Sequence, residues 1–138
     1  MKLYGTPRSP YVRKVRIVLA EKQIPHDYII ARGSAPGSPV PALNPLAKVP
    51  TLVRDDGRPL YDSPVIVDYL DALGSGPQLI PEDFEGRIEV KRWEALGDGI
   101  TDATVAIHHE RLEPADKQRA ADWFAKRRDK IDQGLATM

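Results

Sequence analysis

The sequence predicts a mixed α/β domain over residues 1–75, a linker at 76–83 and an all-helical part over 84–138. Three observations carry this reading. Short strand-like and helix-like apolar patterns alternate through the first ~75 residues. The stretch Gly74–Asp83 (GSGPQLIPED) has the composition of a linker. Beyond it, apolar residues recur only at three- and four-residue spacings.

Lys2–Gly5 reads as a short strand. Ser9-Pro10 then opens a helix over Pro10–Lys22, with Val12, Val15, Val18 and Leu19 on one face. Serine supplies the N-cap oxygen, and proline at the first helical position lacks only an N–H that would be unpaired there anyway. Ile24-Pro25 ends the helix, and His26–Ile30 is the next strand, joined by a right-handed crossover to a parallel neighbour. Arg32–Asn44 carries Gly33, Pro36, Gly37, Pro39 and Pro41 and reads as an irregular loop with at most one short helical turn. Thr51–Arg54 and Pro59–Tyr61 form a hairpin around Asp55-Asp56-Gly57-Arg58. A second pair, Ser63-Pro64, opens the helix Pro64–Leu73, with Ser63 as its cap and Gly74 as its end. The order is β-α-β-α-β-β-α.

In the helical part, Glu85 to about Leu112 carries the stripe Ile88, Trp93, Leu96, Ile100, Ala103 and Ile107. Gly97 and Gly99 either weaken this helix or permit close packing. Glu113-Pro114 starts a second helix, with Phe124, Ile131 and Leu135 in register. Two helices with one apolar stripe each do not close a domain. The expectation is therefore a truncated helical part, belonging to a fragment or completed by another polypeptide.

Composition excludes several classes of chemistry. Twenty basic and twenty acidic residues cancel, so no global field holds nucleic acid or a membrane. Arg13, Lys14 and Arg16, and Lys126, Arg127, Arg128 and Lys130, read as solvated helix faces. With no cysteine, disulfide exchange, cysteine nucleophiles and thiolate zinc sites are excluded. The N-terminus shows no signal-peptide pattern and no run is long enough to span a membrane, so the expected location is cytoplasmic. His26 precedes a strand and reads as a surface residue. His108-His109-Glu110 is the one metal-like run, but neighbouring helical residues point about 100° apart and cannot share an ion. No metal site is expected.

The two Ser-Pro helix starts flank Lys48-Val49-Pro50-Thr51-Leu52. A helix N-terminus offers free N–H groups and partial positive charge, which favour thiolates and carboxylates. Two such ends facing an extended strand suit a small anionic thiol peptide.

Ser9-Pro10-Tyr11-Val12-Arg13-Lys14-Val15-Arg16, Asn44-Pro45-Leu46-Ala47-Lys48-Val49-Pro50-Thr51-Leu52 and Asp62-Ser63-Pro64-Val65-Ile66-Val67-Asp68-Tyr69-Leu70 resemble three signatures of the glutathione S-transferase amino-terminal domain, which is thioredoxin-like. The helical stretch Glu94–Ala103 is similar to the bacterial YibF-like subgroup of that family. The resemblance covers the whole chain, although the family usually carries a longer helical second domain.

The resemblance implies a role for each motif. Ser9 would stabilise the glutathione thiolate; taken alone, it is a helix cap. Tyr4, at the end of the first strand, is the fallback hydroxyl, with core packing as the alternative. Val49-Pro50 would be a cis peptide bond, with the Val49 N–H and C=O paired to the glutathione backbone as a short antiparallel strand. Ser63 would bind the γ-glutamyl carboxylate through its hydroxyl and N–H, and Asp62 the glutamyl ammonium, directly or through a dimer partner. Lys48 would reach the glycine carboxylate, and His108 is a weaker cleft candidate. Asp98 and Asp102 share a helix face, lining the cleft or forming a solvated or dimer-facing acid pair. The function implied is glutathione transfer to a small electrophilic substrate, by a homodimer, with glutathione as co-substrate and no other cofactor. The alternative is a non-catalytic binding or regulatory module on the same fold.

Overall fold

The computed structural model describes residues 1–73 and 75–138, and the chain divides into two compact units, Met1–Glu82 and Asp83–Met138. In the first unit the elements are β1 (Lys2–Gly5), α1 (Pro10–Glu21), β2 (Asp27–Ile30), α2 (Val40–Leu43), β3 (Thr51–Val53), β4 (Pro59–Leu60) and α3 (Ser63–Leu73). The order is the predicted one, and α2 is the single helical turn expected in the Pro/Gly-rich loop.

The strands form one sheet in the order β2-β1-β3-β4. β1 and β2 run parallel with Leu3 opposite Tyr28, as a β-α-β crossover requires. β1 and β3 are antiparallel, with Leu3 opposite Leu52 and Tyr4 opposite Thr51. β3 and β4 make the hairpin, pairing Leu52 with Leu60. This mixed sheet with its helices is the thioredoxin-like arrangement that the resemblance implied.

α1 and α3 pack on each other. Leu3, Val12, Val15, Leu19, Leu52, Ile66 and Leu70 form the heart of the core, each at most 1% exposed. Each such side chain contributes about 1.5–3 kcal/mol through burial. Their helical members recur at three and four residues, which is why α1 and α3 present one apolar stripe apiece.

Both Ser-Pro pairs mark helix starts, but they work differently. Ser9 caps α1, its Oγ accepting the Val12 N–H at 3.3 Å, and Pro10 is the first helical residue. α3 begins at Ser63 itself. The Asp62 carbonyl accepts the Ile66 N–H at 3.0 Å, and the Asp62 carboxylate accepts the Ser63 N–H. Asp62 thus does the capping that the sequence assigned to Ser63. The terminating role read for Gly74 lies outside the described residues.

The stretch with linker composition is fastened to the first unit. Lys22, the C-cap residue of α1, is 3% exposed, and its Nζ lies 3.1 Å from the Asp71 carboxylate of α3. The same Nζ donates to the carbonyls of Gly76 at 3.3 Å and Pro77 at 3.0 Å. Asp71 accepts the N–H groups of Leu79 at 3.0 Å and Ile80 at 2.9 Å. Gly76 runs so close to Glu21 that a β-carbon there would stand 2.0 Å from its carbonyl oxygen. Burial pushes the Asp71 carboxyl up, but the Leu79 and Ile80 amides and the Lys22 ammonium outweigh it and hold the group below its ordinary value of 3.8.

The second unit consists of α4 (Phe84–Glu110), a 3-10 turn (Ala115–Lys117) and α5 (Ala121–Thr137). Asp83 caps α4 by accepting the Gly86 N–H at 2.8 Å. Of the predicted stripe, Ala103 and Ile107 are buried, whereas Ile88 is 48% exposed. Gly97 and Gly99 face open space, so the close-packing alternative is not realised there. α5 begins at Ala121 rather than at Glu113. Pro114 is extended (φ −54°, ψ 144°), Gln118 Nε2 donates to the Glu113 carbonyl at 2.8 Å, and the Arg119 N–H donates to the Glu110 carboxylate at 2.8 Å. α4 and α5 meet at Gly134, where a β-carbon would stand 2.6 Å from Ile100 Cγ1. That contact turns Leu135, read as an inward position, outward to 56% exposure. No helix among the described residues is long and apolar enough to cross a membrane.

Asp71→Asn is expected to destabilise the chain by about 3–5 kcal/mol in urea unfolding, because it leaves the Lys22 ammonium buried without its counter-charge. A depressed folded carboxyl stabilises the fold above the unfolded value and loses that effect as pH falls through the folded value. The gap between parent and variant should therefore be complete above pH 3.8 and shrink below it. A gap independent of pH from 6 to ~2 would contradict the assignment of that stability to the Asp71 carboxylate.

Candidate functional site

Strand register brings the three motifs to one end of the sheet. β1 finishes at Gly5, on the side where its antiparallel partner β3 starts at Thr51. β4, antiparallel to β3, finishes at Leu60 on that same side and leads directly to Asp62 and Ser63. The turn after β1, closed by the Ser9 N–H donating to the Thr6 carbonyl at 3.1 Å, delivers Ser9 there too. The N-termini of α1 and α3 and the Lys48–Pro50 segment therefore share one sheet end.

Ser9 is half-buried, and its Oγ uses a lone pair as the α1 cap, leaving the hydroxyl hydrogen free to donate. Ser63 is 1% exposed, and its Oγ has no hydrogen-bond partner among the described residues. Of the two donors read at Ser63, the N–H is engaged by Asp62 and the hydroxyl is not. Asp62 itself is exposed.

Val49-Pro50 is cis. Pro50 is buried, Val49 is half-buried and Lys48 is exposed. No hydrogen bond among the described residues engages the Val49 N–H or C=O. Sequence reasoning gave Asn44 no role, yet it organises this loop. Its Nδ2 donates to the Lys48 carbonyl at 3.1 Å and to Thr51 Oγ1 at 3.3 Å, and its Oδ1 accepts the Leu46 N–H at 2.9 Å. Thr51 Oγ1 also donates to the Lys48 carbonyl, at 3.0 Å. On the loop's other side, Gly33 passes so near Ala47 that a β-carbon would stand 1.9 Å from the Ala47 oxygen. The signal available was the Asn-Pro pair beside a buried β-strand start, a turn composition that also describes many plain loops.

The remaining candidates stand apart in character. Tyr4 is half-buried in β1, between Ile29 and Thr51 of its neighbouring strands. His108 is exposed on the last turn of α4, its ring edge-on to His109 at 5.9 Å. Nδ1 of His26 lies 3.1 Å from the Ile24 carbonyl. Among the described residues, no three histidine or carboxylate side chains gather where they could hold a metal ion. A groove of about 950 Å³ beside α1 and β2, lined by Arg13, Arg16, Ile17, His26 and Tyr28 among others, includes none of the predicted site residues.

Residues 3–78 match the family model of the glutathione S-transferase N-terminal domain. Over 135 residues the chain is 38% identical to the uncharacterized GST-like protein YibF of Escherichia coli K12, covering 98% of this chain and 66% of that protein. Its structure is similar to that of a glutathione S-transferase from Methylobacillus flagellatus KT with glutathione bound, at 45% identity and TM-score 0.94, covering 99% of this chain and 67% of that one. It is also similar to a glutathione transferase family member from Pseudomonas fluorescens Pf-5 with bound S-(propanoic acid)-glutathione, at 40% identity and TM-score 0.85, covering 99% and 68%. The chain thus spans about two thirds of the length of these relatives.

A serine that caps a helix costs about 1 kcal/mol when replaced by alanine. Ser63 does not cap, and its hydroxyl is buried without a partner. Ser63→Ala should accordingly leave the urea midpoint of the free protein unchanged or raise it. Destabilisation by ~1 kcal/mol or more would mean that the hydroxyl is bonded within the fold after all.

Proposed function

Because the chain belongs to the glutathione S-transferase family, we propose that it binds glutathione at this sheet end and activates its thiol through Ser9 for attack on an electrophilic carbon. One observation carries the reading. A Ser9-capped helix start shares its sheet end with a buried Ser63 hydroxyl that no protein group satisfies. A carboxylate is the partner such a hydroxyl accommodates best, since it accepts the hydrogen in a charge-assisted bond.

In this reading the γ-glutamyl carboxylate takes the Ser63 hydroxyl and Asp62 faces the glutamyl ammonium. The peptide backbone pairs with the free N–H and C=O of Val49, and Lys48 meets the glycine carboxylate. The sulfur then lies at the N-terminus of α1. An ordinary thiol, with a pKa of about 8.5, is mostly protonated at neutral pH. The Ser9 O–H and the helix N-terminus favour the thiolate, so the proton leaves to solvent. The sulfur lone pair forms the new S–C bond. In substitution the leaving group departs with its bonding pair; in addition the displaced π pair collects a proton from water. The S-(propanoic acid)-glutathione held by the Pseudomonas fluorescens relative is glutathione with carbon on its sulfur, which supports conjugation.

A homodimer in the cytoplasm, where glutathione is kept reduced, completes the reading. It is supported by apolar side chains open to solvent, with Val65 of α3 50% exposed and Phe84 of α4 71% exposed.

The test is the ultraviolet thiolate difference spectrum of glutathione titrated into the chain across pH. The bound thiol is expected to ionise well below its free value. Ser9→Ala should abolish that shift and lower kcat/KM by about one to two powers of ten. Glutathione bound with an unshifted thiol would replace this reading with the non-catalytic binding module.

A further inference from the structure

Asn44 is the most heavily bonded buried side chain at the proposed site, yet it touches no predicted ligand contact except through backbone. It is 1% exposed, so each of its polar atoms must be satisfied internally. Its three bonds all return to the segment 44–51: the Leu46 N–H, the Lys48 carbonyl and Thr51 Oγ1. The Ala47 N–H donates to the Asn44 carbonyl at 2.8 Å, and the Asn44 N–H donates to the Val40 carbonyl at 2.8 Å, so α2 holds the hub from behind.

The consequence lies in which carbonyls are spoken for. That of Lys48 receives two donors, Asn44 Nδ2 and Thr51 Oγ1. With both lone pairs occupied, it is turned inward and fixed. Among the described residues, nothing engages either backbone group of the next residue, Val49. An extended peptide can therefore pair with Val49 alone, and in one register. Meanwhile the backbone of Gly33 passes close to Ala47 on the opposite side, and Ala47 has a φ of 50°.

We infer that Asn44 is a positioning residue for peptide recognition: its side-chain amide locks the Lys48 carbonyl inward and so presents the Val49 N–H and C=O to the ligand. This rests on the glutathione reading above. It makes a distinct claim, that affinity for the peptide backbone and activation of the thiol are set by separate residues.

Isothermal titration of glutathione into the chain, well below its unfolding temperature, separates these roles. Asn44→Ala is expected to raise the glutathione Kd about tenfold or more, the loss of one or two net hydrogen bonds' worth of preorganisation. Thr51→Val keeps the shape of a fully buried residue and removes one of the two Lys48 bonds together with an acceptor of Asn44 Nδ2, so a rise of about threefold or more is expected. Val15→Ala, a cavity in the middle of α1, should lower the unfolding temperature and leave Kd unchanged. In both loop variants the thiol of saturating glutathione should ionise as in the parent, because Ser9 is untouched. If Asn44→Ala and Thr51→Val lose stability but bind glutathione as the parent does, Asn44 is structural only and the inference is overturned. If Asn44→Ala does not fold, Thr51→Val decides alone. If the thiol shift disappears while Kd holds, the proposed separation of roles is wrong. Absence of glutathione binding by the parent chain would instead overturn the function reading, and this inference with it.

Discussion

β1 has a partner on each side, and its register with them sets which segments gather at one sheet end. Leu3 stands opposite Tyr28 of β2 and Leu52 of β3. Side chains alternate along a strand, so a slip of one residue would turn Leu3 and Leu52 out of the core and separate Tyr4 from Thr51. Thr51 is followed backwards by Pro50, Val49 and Lys48, so that pairing places the whole Lys48–Pro50 segment. Leu60 opposite Leu52 does the same for Asp62 and Ser63. A short sheet therefore locates three segments that are far apart in sequence, and α1 and α3 leave from it with their positive ends on the same side.

Buried polar groups tell a second story, about where the fold is complete in itself. Lys22 and Asp71 are expensive to bury, but each has several partners. Asn44 is equally well provided for. Ser63 Oγ is not, and leaving a buried hydroxyl unpaired costs about 1–3 kcal/mol. Among the described residues, Tyr28 Oη and Arg54 Nε share that condition. Both belong to cation–ring stacks, with the Arg16 guanidinium 4.9 Å from the Tyr28 ring centre and that of Arg54 4.8 Å from Tyr69. Stacking offsets part of their cost. Among the described residues, Ser63 Oγ has no such compensation.

How much of this was legible depended on the range of the signal. Val12, Val15 and Leu19 announced α1 by local spacing, and the Ser9-Pro10 pair announced its start. The hairpin around Asp55–Arg58 was equally local. Distinguishing Ser63 from Asp62 as the cap was harder, because both residue types cap well and only the backbone bond of Ile66 decides. Proline is welcome at a helix start, so Pro114 looked like the beginning of α5 although it is extended there. Leu135 outranks Gly134 in hydropathy, yet close approach of α4 selects the glycine. The Lys22–Asp71 pair and the Asn44 hub join residues whose types are ordinary on a surface. Nothing in the chain marks them until folding brings their partners together.

The two helix starts, similar in sequence, are capped differently. At α1 the serine oxygen is committed to the Val12 N–H, and only its hydrogen remains to be given away. At α3, Asp62 occupies the Ser63 N–H with its carboxylate and the Ile66 N–H with its carbonyl, and Pro64 has no N–H at all. What remains in that first turn is the Ser63 hydroxyl and the Val65 N–H. The difference between the two helix starts is thus written by which residue does the capping.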